Sequence, residues 1–191
     1  GAPVAAAITE ESKEKIAFLK KEGIVPTLAI IRIGARADDE SYEKGAEKRF
    51  ATAGAEIKKF ILPEDTTQEE LEDIVKKINN DDTIHGILMF RPLPAHMNEE
   101  KIKQIISMEK DVDGMSYAGL GSLIASKAGK IQAYAPCTPT AVIEVLDFYN
   151  IDLTGKKIAV VGRSAVVGLP LAVMLIQQTS LRTLPSWKKA Q

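Results

Sequence analysis

Short apolar runs of strand length alternate with amphipathic stretches of helix length along most of this chain, and no other feature restricts the fold as much. Leu28–Ile33, Ile57–Leu62, Ile84–Phe90 and Lys157–Val161 have the length and β-branched content of strands. Between them, Glu10–Glu22 and Asp39–Ala53 are charged on one face. Thr67 and Glu70 have the spacing of a capping box, followed by Leu71, Ile74, Val75 and Ile78 on one helical stripe. Thr138 before Pro139 predicts another helix start, with Thr as the cap and Pro in the first turn, running through Val142, Val145, Leu146 and Tyr149. The alternation predicts an α/β fold, parallel strands with helices on both faces.

A chain of 191 residues, 45% hydrophobic and 27% charged, can bury one good core and a second, smaller one. Asn150–Gly155 is the expected joint, since a helix ends there and a new βα unit opens, which gives domains of residues 1–150 and 151–191. A net charge of -1 provides no general field for nucleic acid or an anionic membrane, so neither is an expected partner. The single cysteine, Cys137, excludes an internal disulfide and a four-cysteine zinc site. No base partner for it is evident, so it is expected to be a small packed residue and not a nucleophile. No apolar run reaches membrane-spanning length, and Gly1–Ile8 lacks the pattern of a signal peptide, so a cytoplasmic location is expected. His85 and His96 are the only histidines and have no metal-ligand spacing with other side chains, so no metal is expected.

Val160–Pro170 reads as a strand end, a glycine turn and a helix start, with Gly162, Ser164 and Gly168 spaced G-x-S-x-x-x-G. That arrangement aims backbone N–H groups and a positive helix end at a phosphate, but by itself it equally fits a tight βα turn with no ligand. Asp113 before Gly114 likewise reads by itself as an ordinary turn pair.

Four segments, taken together, match one family in content, order and spacing: Gly86–Pro94, Lys110–Gly114, Pro136–Pro139, and Val161–Ser164 with Gly168 and Pro170. From about Ala5 to Gln178 the chain resembles the methylenetetrahydrofolate dehydrogenase/methenyltetrahydrofolate cyclohydrolase family. The resemblance implies a folate-binding α/β domain and a partial Rossmann-like nucleotide-binding domain, with methylenetetrahydrofolate passing a hydride to NAD or NADP in a cleft between them. Asp113 matches the aspartate that holds the amino-pyrimidine edge of the pterin, where a carboxylate accepts two parallel N–H bonds. Tyr42, eight residues after Gly34, matches the tyrosine that stacks on substrate. Pro136, Thr138 and Pro139 would close the folate pocket. Gly162, Arg163, Ser164 and Gly168 would meet the cofactor, Arg163 being the residue placed to meet a 2′-phosphate. The family forms homodimers through its nucleotide-binding half.

Two positions depart from the family pattern. Members with both activities carry a lysine four residues after the tyrosine, and here that position is Ala46. Lys44 and Lys48 lie roughly 160° and 120° around the helix from Tyr42, so neither replaces it. Phe90 stands where the family has the glutamine that tunes the lysine, and phenylalanine cannot hydrogen-bond. Hydride transfer is chiefly a positioning task, whereas hydrolysis of the methenyl bridge also needs protons moved. The expectation is a dehydrogenase with weak or absent cyclohydrolase activity, the alternative being a fully bifunctional dehydrogenase/cyclohydrolase. If Gln191 is the true end, the apolar face of Ala159, Val161, Leu171 and Leu175 is expected to lie open, and the chain to bind folate without oxidising it.

Overall fold

The structure, a computed structural model, describes residues 1–125 and 133–182. It divides into two compact units, Gly1–Val112 and Asp113–Gln191. The joint expected at 150–155 therefore lies inside the second unit, because the helix before it packs on the helix after it.

The first unit runs α1 (Ala2–Lys21), β1 (Thr27–Ile33), α2 (Ala37–Ala53), β2 (Glu56–Leu62), α3 (Gln68–Asn79), β3 (Gly86–Met89) and α4 (Glu99–Ile105). The three strands are parallel in the order β2-β1-β3, with Leu28 opposite Ile57 on one side and Gly86 on the other. Central β1 is buried at every residue from Leu28 to Ile33, as a strand covered on both faces must be. Edge strand β2 instead has no buried residue, its positions being exposed or half-buried. β3 is shorter than the apolar run that contains it, yet the ladder contacts continue past both ends: the His85 N–H donates to the Thr27 carbonyl at 2.9 Å and the Phe90 N–H to the Ile31 carbonyl at 2.9 Å.

The Thr67–Glu70 capping box forms as expected. Thr67 Oγ1 accepts the Glu70 N–H at 3.2 Å, and Glu70 Oε2 accepts the Thr67 N–H at 2.8 Å. The stripe that follows buries Leu71, Val75 and Ile78. α2 starts on Asp38, Asp39 and Glu40, which suit the positive end of the helix, and stops at Gly54 with φ 87°.

α2 is also tied to β1 by a buried ion pair. Arg32 Nε lies 2.9 Å from Glu43 Oε2, both side chains being under 10% exposed, and Lys59 from β2 reaches Glu43 Oε1 at 3.2 Å. Burial by itself would raise the Glu43 carboxyl, but hydrogen bonds and charge from Arg32 and Lys59 outweigh it and hold the group below its ordinary range.

The second unit contains α5 (Tyr117–Ala125), α6 (Cys137–Phe148) and α7 (Gly168–Arg182), with α7 packed against the other two. Gln177 Nε2 donates to the Leu123 carbonyl at 2.7 Å, which fixes α7 to α5. Two expectations are corrected here. α6 begins at Cys137, two residues early, with Pro136 as its cap residue. The Pro136 carbonyl takes the Thr140 N–H at 3.1 Å and the Thr140 hydroxyl at 2.9 Å, so Thr138 sits inside the first turn and caps nothing. Lys157–Val161 does not form a strand, because among the described residues no segment pairs with it and a parallel strand exists only through its neighbour. Of the face expected to lie open, Ala159 and Val161 are exposed, while Leu171 is half-buried and Leu175 is buried against the unit.

Candidate active site

Tyr42 lies on the second turn of α2, 65% exposed, at the rim of a cleft of about 720 Å³. Leu28, Leu88, Ala46 and Phe50 form its apolar floor, and Asp38 and Arg49 contribute charge. The Tyr42 ring stands edge-on to Phe90, with centroids 5.5 Å apart and planes at 80°. Phe90 is buried with Leu28 and Ile30, and Ala46 packs against the same cluster. The two positions at which the family pattern carries a lysine and its glutamine partner are thus joined here by apolar packing. Lys44 and Lys48 are exposed and do not line the cleft, as their helical angles imply.

A second group of predicted residues gathers at the start of the second unit. Gly114 has φ 62°, and a Cβ there would lie 2.8 Å from the Pro136 backbone nitrogen and 2.9 Å from the Tyr134 carbonyl oxygen. Only glycine allows that approach. Half-buried Asp113 is thereby held beside the Tyr134–Pro136 segment. Pro136 and Pro139 are buried, whereas Thr138 is exposed. Cys137 is also exposed, contrary to expectation: it opens α6, and Pro139 takes the inward position of that turn.

The third group is the glycine turn before α7. Gly162 has φ 143°, and a Cβ on Gly168 would collide with the Gly162 carbonyl, so the chain closes on itself more tightly than any side chain permits. Ser164 Oγ accepts the Val167 N–H at 3.1 Å and the Gly168 N–H at 3.4 Å. With its oxygen so engaged, the hydroxyl proton remains to be donated outward. Gly162, Arg163 and Ser164 are exposed. Bare main chain, a hydroxyl donor and a guanidinium beside a helix start fit the phosphates of a dinucleotide.

Among the described residues no three His, Cys, Asp or Glu side chains gather in a metal-binding arrangement, and no helix is long and apolar enough to cross a membrane. The sequence reading missed Arg49, which only its seven-residue spacing from Tyr42 would have revealed, and the Arg32–Glu43 pair that anchors α2.

The family model described as the catalytic domain of tetrahydrofolate dehydrogenase/cyclohydrolase matches residues 1–113, and the NAD(P)-binding domain of the same family matches residues 136–187. The chain belongs to the tetrahydrofolate dehydrogenase/cyclohydrolase family. A relative in that family, bifunctional protein FolD of Clostridioides difficile strain 630, is 47% identical over 96% of this chain and 63% of its own length. The solved structure of bifunctional FolD methylenetetrahydrofolate dehydrogenase/cyclohydrolase from Campylobacter jejuni superimposes with a TM-score of 0.86 at 38% identity, over 92% of this chain and 61% of that one. The Trypanosoma brucei family member, solved with NADP cofactor and an inhibitor, gives a TM-score of 0.84 at 33% identity, over 93% and 60%. The chain spans less than two thirds of the length of these family members. The mixed α/β architecture with a parallel sheet and the NAD(P)-binding match agree with the fold expected from the sequence.

Proposed function

We propose that this chain carries the folate-binding part and the first nucleotide-binding turn of an NAD(P)-dependent 5,10-methylenetetrahydrofolate dehydrogenase whose methenyltetrahydrofolate cyclohydrolase activity is weak or absent. The observation that carries this reading is the packing of Ala46 and Phe90 into one apolar cluster beside Tyr42. A cleft wall built this way can orient a flat substrate but offers no amine to move protons at the one-carbon bridge.

In this reading residues 1–150 hold the tetrahydrofolate derivative and residues 151–191 begin the nucleotide-binding domain. Tyr42 covers the aminobenzoyl portion, its ring steadied by Phe90. Asp113 accepts two N–H bonds from the pterin's amino-pyrimidine edge. Pro136, Thr138 and Pro139 bound the pterin and exclude water. Gly162 and Gly168 allow the main chain to approach the cofactor's phosphates, Ser164 donates its hydroxyl proton to them, and Arg163 is available to a 2′-phosphate. Bound NAD or NADP supplies the hydride acceptor. The exposed thiol of Cys137 suits a reducing, cytoplasmic setting. Homodimerisation through the nucleotide-binding half belongs to the same proposal.

A second reading, folate binding without oxidation, is favoured by one observation: Lys157–Val161 has no ladder partner among the described residues. The two are separated by mixing the chain with methylenetetrahydrofolate and either NAD or NADP and following reduced nicotinamide. Folate-dependent reduction supports the dehydrogenase. Saturable folate binding with no reduction by either cofactor supports the second reading.

A further inference from the structure

On α2, Arg49 lies seven residues after Tyr42, which at 100° per residue returns it to within about 20° of the tyrosine's direction and about 10.5 Å further along the axis. Both side chains line the same cleft, with the apolar surface of Leu28, Leu88 and Phe50 between them. Of the neighbouring cations, Arg36 pairs with Asp39 at 2.8 Å, Arg32 with Glu43, and Lys59 with Glu43 and Glu47, while Lys44 and Lys48 are exposed and do not line the cleft. Among the described residues, the Arg49 guanidinium has neither an ion-pair nor a hydrogen-bond partner. An apolar floor ending in one uncompensated guanidinium suits an aromatic ligand that carries a carboxylate, and Asp38, beyond Tyr42 in the other direction, repels that carboxylate from the opposite end.

We propose that Arg49 is a specificity-determining residue that grips a carboxylate of the glutamate tail of folate, so that the benzoyl ring lies against Tyr42 and the tail runs along α2. This rests on the folate reading above. A guanidinium grips a carboxylate through paired N–H groups, so Arg49 adds affinity and direction without supplying the amine that a lysine at position 46 would provide.

The test is calorimetric titration of the chain with 5-formyltetrahydrofolate and with its glutamate dimethyl ester, using the native protein, Arg49→Ala and Arg49→Lys. The native protein should bind the acid about tenfold more tightly than the ester, a preference that Arg49→Ala abolishes by weakening the acid alone and that Arg49→Lys keeps in part. A native protein that binds both compounds equally, or an Arg49→Ala protein that retains the preference, overturns the assignment while leaving the folate reading standing. If the native protein binds neither compound, the folate reading falls and this assignment with it.

Discussion

Tyr42 meets Phe90 edge to face, their ring centroids 5.5 Å apart and their planes 80° apart, although one residue is on α2 and the other follows β3. The contact fixes the direction of the exposed ring through a buried one, since Phe90 is 8% exposed and Tyr42 65%. Aromatic pairs of this geometry contribute about 1 kcal/mol beyond the area they bury. Phe90 thus supports the exposed Tyr42 ring, and the apolar cluster that receives it also receives Ala46.

The two departures from the family pattern should therefore be coupled. Ala46→Lys places an amine against Leu28, Ile30 and Phe90 and should cost about 1 kcal/mol, the ammonium escaping partly to solvent. Phe90→Gln removes a buried ring and should cost about 3 kcal/mol. In the double variant each new polar group finds the other, so urea denaturation should show a loss smaller than the sum by about 1 kcal/mol. Strict additivity would mean that positions 46 and 90 do not communicate.

The Arg32–Glu43 pair predicts a pH-dependent anchor for α2. Glu43→Gln takes the nearer of two carboxylates from the buried Arg32 guanidinium, leaving Glu40 at 3.8 Å, and should cost about 3 kcal/mol at neutral pH. The Glu43 carboxyl is held below its ordinary 4.5, so its contribution is present in full above that value and is lost as pH falls through the lower, folded value. Urea midpoints of native protein and variant should differ most near pH 7 and converge below pH 4.5. A gap that stays constant into acid would show that the charge of Glu43 is irrelevant.

Gly114→Ala should disturb the Asp113 site directly. The added Cβ needs an unfavourable left-handed backbone and meets the Pro136 nitrogen at 2.8 Å, so about 2 kcal/mol should be lost. Folate affinity should fall together with the melting temperature, because displacing this turn moves Asp113. An unchanged affinity would separate Asp113 from the ligand.

Much of the first unit was legible because its signals are local. The apolar runs place β1 and β2 to within a residue of their observed starts, and the Thr67–Glu70 box marks α3. The second unit was read less well, for reasons that are not local. Lys157–Val161 has strand chemistry but, among the described residues, no neighbour to pair with. Thr138 looks like a cap, yet the Pro136 carbonyl had already accepted the first helical bond. α5 escaped notice because Tyr117–Ala125, with two glycines and no charge, shows no polar face. Tyr42 and Asp113 are candidates through the family resemblance alone. Arg49 belongs to no motif and emerges only when the turns of α2 are counted onto the cleft.

Hydride transfer without effective methenyl hydrolysis is the behaviour proposed for this cleft, from the packing of Ala46 and Phe90. It is tested by following reduced nicotinamide and methenyltetrahydrofolate together, in native protein and in the Ala46→Lys, Phe90→Gln double variant. In native protein the two should rise in step and the methenyl product persist, whereas the double variant should consume it. Methenyl hydrolysis by the native protein at a rate comparable to its hydride transfer would contradict the account.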